Sequence, residues 1–172
     1  MTLHELNILP QSQLKEELLK CCGSVSWARM MLAYFPADDL VELLEYAEEV
    51  WYQCSPDDWK EAFAQHPKIG DLGSITKKFA STTDPIAIGW AAGEQSGVNT
   101  ASTAIIEALA ESNRLYEEKF GYIFIVCATG KSAEEMLGLL QLRLRNNPEE
   151  EILLAADEQN AITKLRIEKL VQ

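Results

Sequence analysis

The sequence predicts an all-α fold: a single-domain, multi-helix bundle over residues 1–172, crossed by one extended, non-sheet segment near 122–128. Three observations lead there. Apolar residues recur at helical spacing through most of the chain. Helix start and stop residues bracket those stretches. A single run, Tyr122-Ile-Phe-Ile-Val-Cys-Ala128, is β-branched and aromatic enough for a strand, and no second run is available to pair with it. With 172 residues, 47% of them hydrophobic, the chain can bury about two-thirds of its unfolded surface, enough for one core.

The elements follow in order. Leu14, Leu18, Leu19 and Cys22 share a face of a first helix that Gly23 ends, and Ser24 caps a second carrying Trp27, Met31 and Tyr34, which Pro36 stops. Asp38 and Asp39 open a third, with Leu40, Leu43, Leu44, Ala47, Val50 and Trp51 as its apolar stripe. Ser55-Pro56-Asp57-Asp58 places a cap before a proline at the first helical position, so a fourth helix runs to about Ala64 and stops at His66-Pro67. Residues 66–97 read as short helical turns joined by loops, with Asp84-Pro85 as another helix start. A long helix spans Ala101 to Lys119, with Ile105, Leu109 and Leu115 apolar and Asn113, Glu117 and Glu118 polar, until Gly121 breaks it. The strand-like run then has no sheet to join and is expected to cross the core extended, pairing with loops, water or a ligand. Ser132-Ala-Glu-Glu135 is a capping box for a helix to about Arg145. Asn147-Pro148 and three glutamates open the last helix or helix pair, whose Ile152, Leu153, Ala156, Ile162, Leu165 and Leu170 face inward.

Charge narrows the function. Fifteen Lys and Arg stand against 27 Asp and Glu, a net of −12, so a nucleic-acid partner or an anionic membrane surface is disfavoured. The acidity is concentrated: residues 38–61 hold nine acids and one base. A solvated helix face accounts for this, and a docking surface for a basic partner is the competing reading. No apolar run approaches the length of a membrane span and the first residues lack a leader pattern, so a cytoplasmic protein is expected. The four cysteines form no CxxC pattern and His4 and His66 have no paired spacing, which offers no metal set and suggests reduced, mostly buried thiols.

Three places could carry chemistry. In Gln65-His66-Pro67-Lys68-Ile69-Gly70-Asp71, an imidazole ends a helix and the following proline restricts its backbone, so the ring is held in place and ready to move a proton near neutral pH; a plain helix stop would show the same residues. Gly93-Glu94-Gln95-Ser96-Gly97 offers a carboxylate and a carboxamide suited to amide or urea edges, or is simply the loop before the long helix. Arg166 stands between Leu165 and Ile167, either beside the core, where it requires an anion, or on the surface, bridged to Glu168 or the preceding turn.

Together with Asn113-Arg-Leu-Tyr116 and the run Lys119-Phe120-Gly121-Tyr-Ile-Phe124-Ile-Val-Cys-Ala-Thr-Gly130, these motifs occur in an order that resembles the OHCU (2-oxo-4-hydroxy-4-carboxy-5-ureidoimidazoline) decarboxylases, over nearly the whole chain. The resemblance implies an all-α, cofactor-free, metal-free carbon–carbon lyase, often a homodimer, that acts on a small anion in the last step of urate conversion to (S)-allantoin. By resemblance, His66 is the acid–base group and Glu94 orients it or the substrate. Gln95 reads a ureido or ring amide edge, with Pro67 and Ala91 lining the site. Backbone groups of Phe124, Ile125, Val126, Cys127 and Ala128 bind the ring, and Arg166 neutralises a substrate oxygen. Ala91 is a departure, since a Ser or Thr is common there in relatives, and it leaves open a decarboxylase for a related ureido or imidazoline acid. A non-catalytic helical module docking through residues 38–61 is the reading from another class. The last residues, Leu170-Val171-Gln172, differ from the peroxisomal Ser-Lys-Leu signal, in keeping with the cytoplasmic expectation. A net-negative protein must attract an anion through local groups, here Arg166, His66 and backbone N–H donors.

Overall fold

The computed structural model describes residues 1–68, Gly93 and residues 102–172. The described elements are helices: α1 (Leu3–Asn7), α2 (Gln11–Cys21), α3 (Val25–Met31) continued by a 3₁₀ turn (Leu32–Tyr34), α4 (Leu40–Gln53), α5 (Pro56–Ala64), α6 (Thr103–Phe120), α7 (Ala133–Arg143) and α8 (Pro148–Leu170). Among the described residues there is no strand, and 123–128 belong to no regular element, as the missing pairing partner implied. The expected turns between 69 and 92, including Asp84-Pro85, lie outside the described residues.

Contacts divide the chain into two compact units, one of Met1–Ala62 with Gln159–Gln172 and one of Phe63–Glu158. In the first, α3 packs against α2 and α4. Its core joins Leu6, Leu14, Leu18, Trp27, Met31, Leu43, Ala47, Val50 and Trp51, all buried. Burial of each such leucine contributes roughly 2–3 kcal/mol relative to exposure, and the tryptophans also satisfy their polar edge: Trp27 Nε1 donates to the Ala47 carbonyl at 3.0 Å and Trp59 Nε1 to the Trp51 carbonyl at 3.0 Å. Asn7 closes the chain between helices, donating to the Ala37 carbonyl at 2.8 Å while accepting its N–H at 3.1 Å.

Helix starts follow local chemistry. Ser24, Asp39, Ser102 and Ser132 each accept an N–H of the first turn, and Ser132 with Glu135 completes the expected capping box. Ser55 and Asp58 cap α5 in the same reciprocal manner. Gly121 ends α6 with φ +80°, a left-handed geometry that costs any residue with a Cβ.

Four expectations need correction. The first helix in the chain is α1, held by a Thr2–Glu5 capping box; that signal is legible, but one helical turn with a single buried residue, Leu6, leaves no periodicity to find. Helix α2 ends at Cys21, with Cys22 in extended geometry as its cap. On α6 the inward face is Leu109, Ser112, Asn113 and Tyr116, while Leu115 is 41% exposed; the true 3–4 spacing runs through a polar pair that apolar counting assigns to solvent. On α8, Leu153 is 55% exposed and the buried row includes Glu151, Ala155, Gln159, Asn160, Thr163 and Arg166. Polar side chains with internal partners displace leucines from the buried stripe.

Candidate active site

The second unit contains the His66 turn and the segment 122–128. His66 follows the last turn of α5, and its N–H donates to the Phe63 carbonyl at 3.1 Å, so the backbone leaves the helix already tethered. Both His66 and Pro67 are buried. Lys68 reaches Glu117 of α6 at 2.6 Å, a half-exposed ion pair that fixes the chain direction after the proline more than it adds stability. The Phe63 ring lies 5.3 Å from that of Tyr122, so the last turn of α5, just before His66, meets the start of the 122–128 segment. Two stretches far apart in sequence are brought together here through one aromatic contact.

The extended segment is buried along its length, apart from half-buried Cys127. Side chains in place of a neighbouring strand satisfy part of its backbone. Arg143 Nη1 donates to the Ile125 carbonyl at 2.6 Å, the Cys127 N–H donates to Glu158 Oε2 at 2.5 Å, and Lys131 Nζ donates to the Cys127 carbonyl at 2.7 Å. Phe124 is clamped between Tyr116, ring centroids 5.3 Å apart, and the Arg143 guanidinium 4.7 Å from its centroid.

Beneath it lies a polar cluster that pattern reading does not reveal. Glu151, fully buried, accepts from Arg143 Nε at 2.7 Å, from Asn146 Nδ2 at 2.8 Å and from the Tyr116 hydroxyl. Burial, followed by donation to Glu151, pushes the Tyr116 hydroxyl far above its ordinary pKa, and burial pushes Tyr122 up to about 12. The Tyr116 hydroxyl therefore stays a neutral donor to Glu151 near neutral pH. Within Glu149-Glu150-Glu151 no composition rule marks the buried member; its position four before Ala155 on the inward row is the one available signal.

Lys119, part of the Lys-Phe-Gly motif, donates to the carbonyls of Leu144 at 2.7 Å and Asn146 at 2.8 Å, just past the end of α7. The motif therefore serves the fold as well: lysine caps a neighbouring helix, Phe120 packs 4.6 Å from Tyr116, and glycine turns the chain.

Arg166 belongs to the first unit, where it is buried and its charge opposes the rise in pKa of the Cys21 and Cys22 thiols. Glu94, Gln95 and Ala91 lie outside the described residues. Among the described residues no group of His, Cys, Asp or Glu could hold a metal ion, and no helix is long and apolar enough to cross a membrane. The acidic stretch 38–61 is largely engaged internally: Asp39 and Asp58 cap helices, Glu42 accepts from the Asp38 N–H and Tyr46, Glu61 accepts the Val25 N–H, and Glu48 pairs with Lys164 and Asn160.

The family model described as OHCU decarboxylase matches residues 7–168. The chain belongs to the OHCU decarboxylase family. Its all-helical fold agrees with solved members and neighbours: it superposes with TM-score 0.74 on a crystal structure of OHCU decarboxylase in the presence of (S)-allantoin, at 36% identity over 91% of this chain and 97% of that one. The fold alone is shared with a crystal structure of (S)-allantoin synthase, at TM-score 0.71 and 17% identity over 99% of this chain and 54% of that one. Among curated proteins, the uric acid degradation bifunctional protein TTL of Arabidopsis thaliana is 39% identical over 160 residues, 91% of this chain and 47% of that protein. The 2-oxo-4-hydroxy-4-carboxy-5-ureidoimidazoline decarboxylase of Amia calva is 39% identical over 66 residues, 37% of this chain and 38% of that protein. The chain thus spans less than half the length of either curated relative in these matches.

Proposed function

We propose that this protein decarboxylates 2-oxo-4-hydroxy-4-carboxy-5-ureidoimidazoline to (S)-allantoin, as one domain over residues 1–172, in the cytoplasm and as a homodimer. The observation that carries the reading is His66, buried and tethered behind a proline in a chain of this family.

The chemistry asks little of the protein. When the ring carbon bearing the hydroxyl loses its carboxylate as carbon dioxide, the electron pair moves into the adjacent C=N unit, so the substrate is its own electron sink. The ring nitrogen that receives the pair takes a proton from solvent, the hydroxyl becomes a carbonyl as its proton leaves, and the neighbouring carbon gains a proton on one face. His66 handles these protons, first at the hydroxyl or departing carboxylate and then at the carbon that becomes the stereocentre. Glu94 orients His66 or the substrate, Gln95 reads a ureido or ring amide edge, and Arg166 neutralises a substrate oxygen. Pro67 and Ala91 line the site, and the backbone of Phe124 to Ala128 hydrogen-bonds the ring, a use for a buried strand-like run that joins no strand among the described residues. The residues named supply acid–base and hydrogen-bonding groups without a cofactor.

His66→Asn is expected to fold normally and bind allantoin, yet lose most of the acceleration and the handedness of the product. Freshly generated substrate followed by circular dichroism of allantoin tests this. A near-normal rate with normal chirality would remove His66 from the mechanism.

A further inference from the structure

Among the described residues, the backbone of the segment 124–128 is held by side chains that the proposed chemistry does not use. Ile125 and Cys127, two residues apart, are the ones gripped by side chains: Ile125 through Arg143, Cys127 through Glu158 and Lys131. In an extended backbone, residues two apart turn their N–H and C=O groups to the same edge and the residues between turn theirs to the other. Arg143, Glu158 and Lys131 thus supply to Ile125 and Cys127 the partners a neighbouring strand would, and in such a backbone the groups of Phe124 and Val126 turn to the other edge.

We propose that Arg143 and Glu158 are positioning residues for substrate binding: they lock the edge at Ile125 and Cys127 so that the opposite edge is presented to the ligand in fixed register. The inference rests on the reading that this backbone holds the substrate. Arg143 is itself aimed by two contacts, its bond to buried Glu151 and its stacking over Phe124, so its fork spans a carboxylate and the Ile125 carbonyl at once. Glu158 is a charged acceptor on a backbone N–H, about twice as strong as a neutral bond. Tyr116 and Asn146 complete the shell around Glu151, which keeps Arg143 from turning toward solvent.

Glu158→Ala frees the Cys127 N–H, whereas Glu158→Gln keeps an acceptor oxygen there. The alanine variant is expected to raise KM and weaken (S)-allantoin binding by about tenfold, the size of one lost charged hydrogen bond, with kcat within about threefold of the parent. The glutamine variant restores most of the loss. Arg143→Lys, which keeps the charge but cannot span both acceptors, shows the same split without rescue and carries the comparison if Glu158→Ala does not fold. In ligand-free protein, amide exchange across 124–128 is expected to quicken in both variants while α6 stays protected. Parental KM, allantoin affinity and amide exchange in the folded variants would overturn the proposal. If the parent itself neither turns over the substrate nor binds allantoin, the proposed activity falls, and the exchange rates still decide whether Arg143 and Glu158 lock the segment.

Discussion

Glu151 shows how much one buried side chain can organise. Three donors converge on it from α6, from α7 and from the turn before α8, and its own backbone N–H closes the first turn of α8 on the Asn147 carbonyl at 3.0 Å. Removing it leaves the Arg143 charge buried and short of a partner, a situation that costs about 3–5 kcal/mol. Glu151→Ala is therefore expected to lose about that much stability in urea unfolding; a loss under 1 kcal/mol would mean that Arg143 finds another anion. Cysteine behaviour follows from burial in the same way. Desolvation pushes Cys21 and Cys22 up to about 12 and Cys54 to about 11, so these thiols carry almost no thiolate near neutrality. Native protein should show one reactive thiol, half-buried Cys127, and four after denaturation, as counted with a chromogenic disulfide reagent.

At the scale of elements, caps and breaks carry most of the local information. Ser132 and Glu135 exchange hydrogen bonds at the start of α7, the Ser132 N–H reaching Glu135 Oε2 at 2.7 Å and the Glu135 N–H reaching Ser132 Oγ at 3.1 Å. Ser132→Ala is expected to cost about 1 kcal/mol, read as a shift in denaturation midpoint. Gly121→Ala is expected to cost about 1–2 kcal/mol, from left-handed strain alone, because a Cβ there meets nothing within 4 Å. Helices α5 and α7 were legible to within a few residues from such signals. The inward faces of α6 and α8 were less legible, since Asn113 bonds the Leu109 carbonyl at 2.9 Å and Gln159 bonds Thr163 at 3.1 Å, and polar residues with a partner one turn away can be buried where apolar counting expects leucine.

For the whole molecule, the charge of −12 now has a structural use. Several carboxylates are held below their ordinary pKa: Glu48 by Lys164 and then Asn160, Asp58 by the Ser26 hydroxyl and then Ser55, Glu42 by Tyr46 and then the Asp38 N–H, Glu135 by the Ser132 N–H. A depressed folded-state pKa stabilises the fold above the unfolded pKa, about 4, and that contribution is lost as pH falls through the folded value. The urea midpoint should therefore hold from pH 7 to about 5 and decline toward pH 3. Glu48→Gln should flatten part of that decline. An unchanged midpoint down to pH 3 would mean that these bonds contribute nothing net.

The sequence by itself determined the helical class, the caps, the lone extended segment and the motifs by which His66, Glu94, Gln95 and Arg166 resemble a family, because each depends on neighbours within about one helical turn or on short runs. Tertiary structure decided which of three consecutive glutamates is buried, which side chains replace a strand beside Ile125 and Cys127, and that Lys119 of a family motif caps another helix. The bonds of Arg143 to Ile125, Lys119 to Leu144, Glu158 to Cys127 and Tyr116 to Glu151 join residues 18 to 35 apart, and a polar residue's burial depends on a distant group that satisfies it, which no local pattern records.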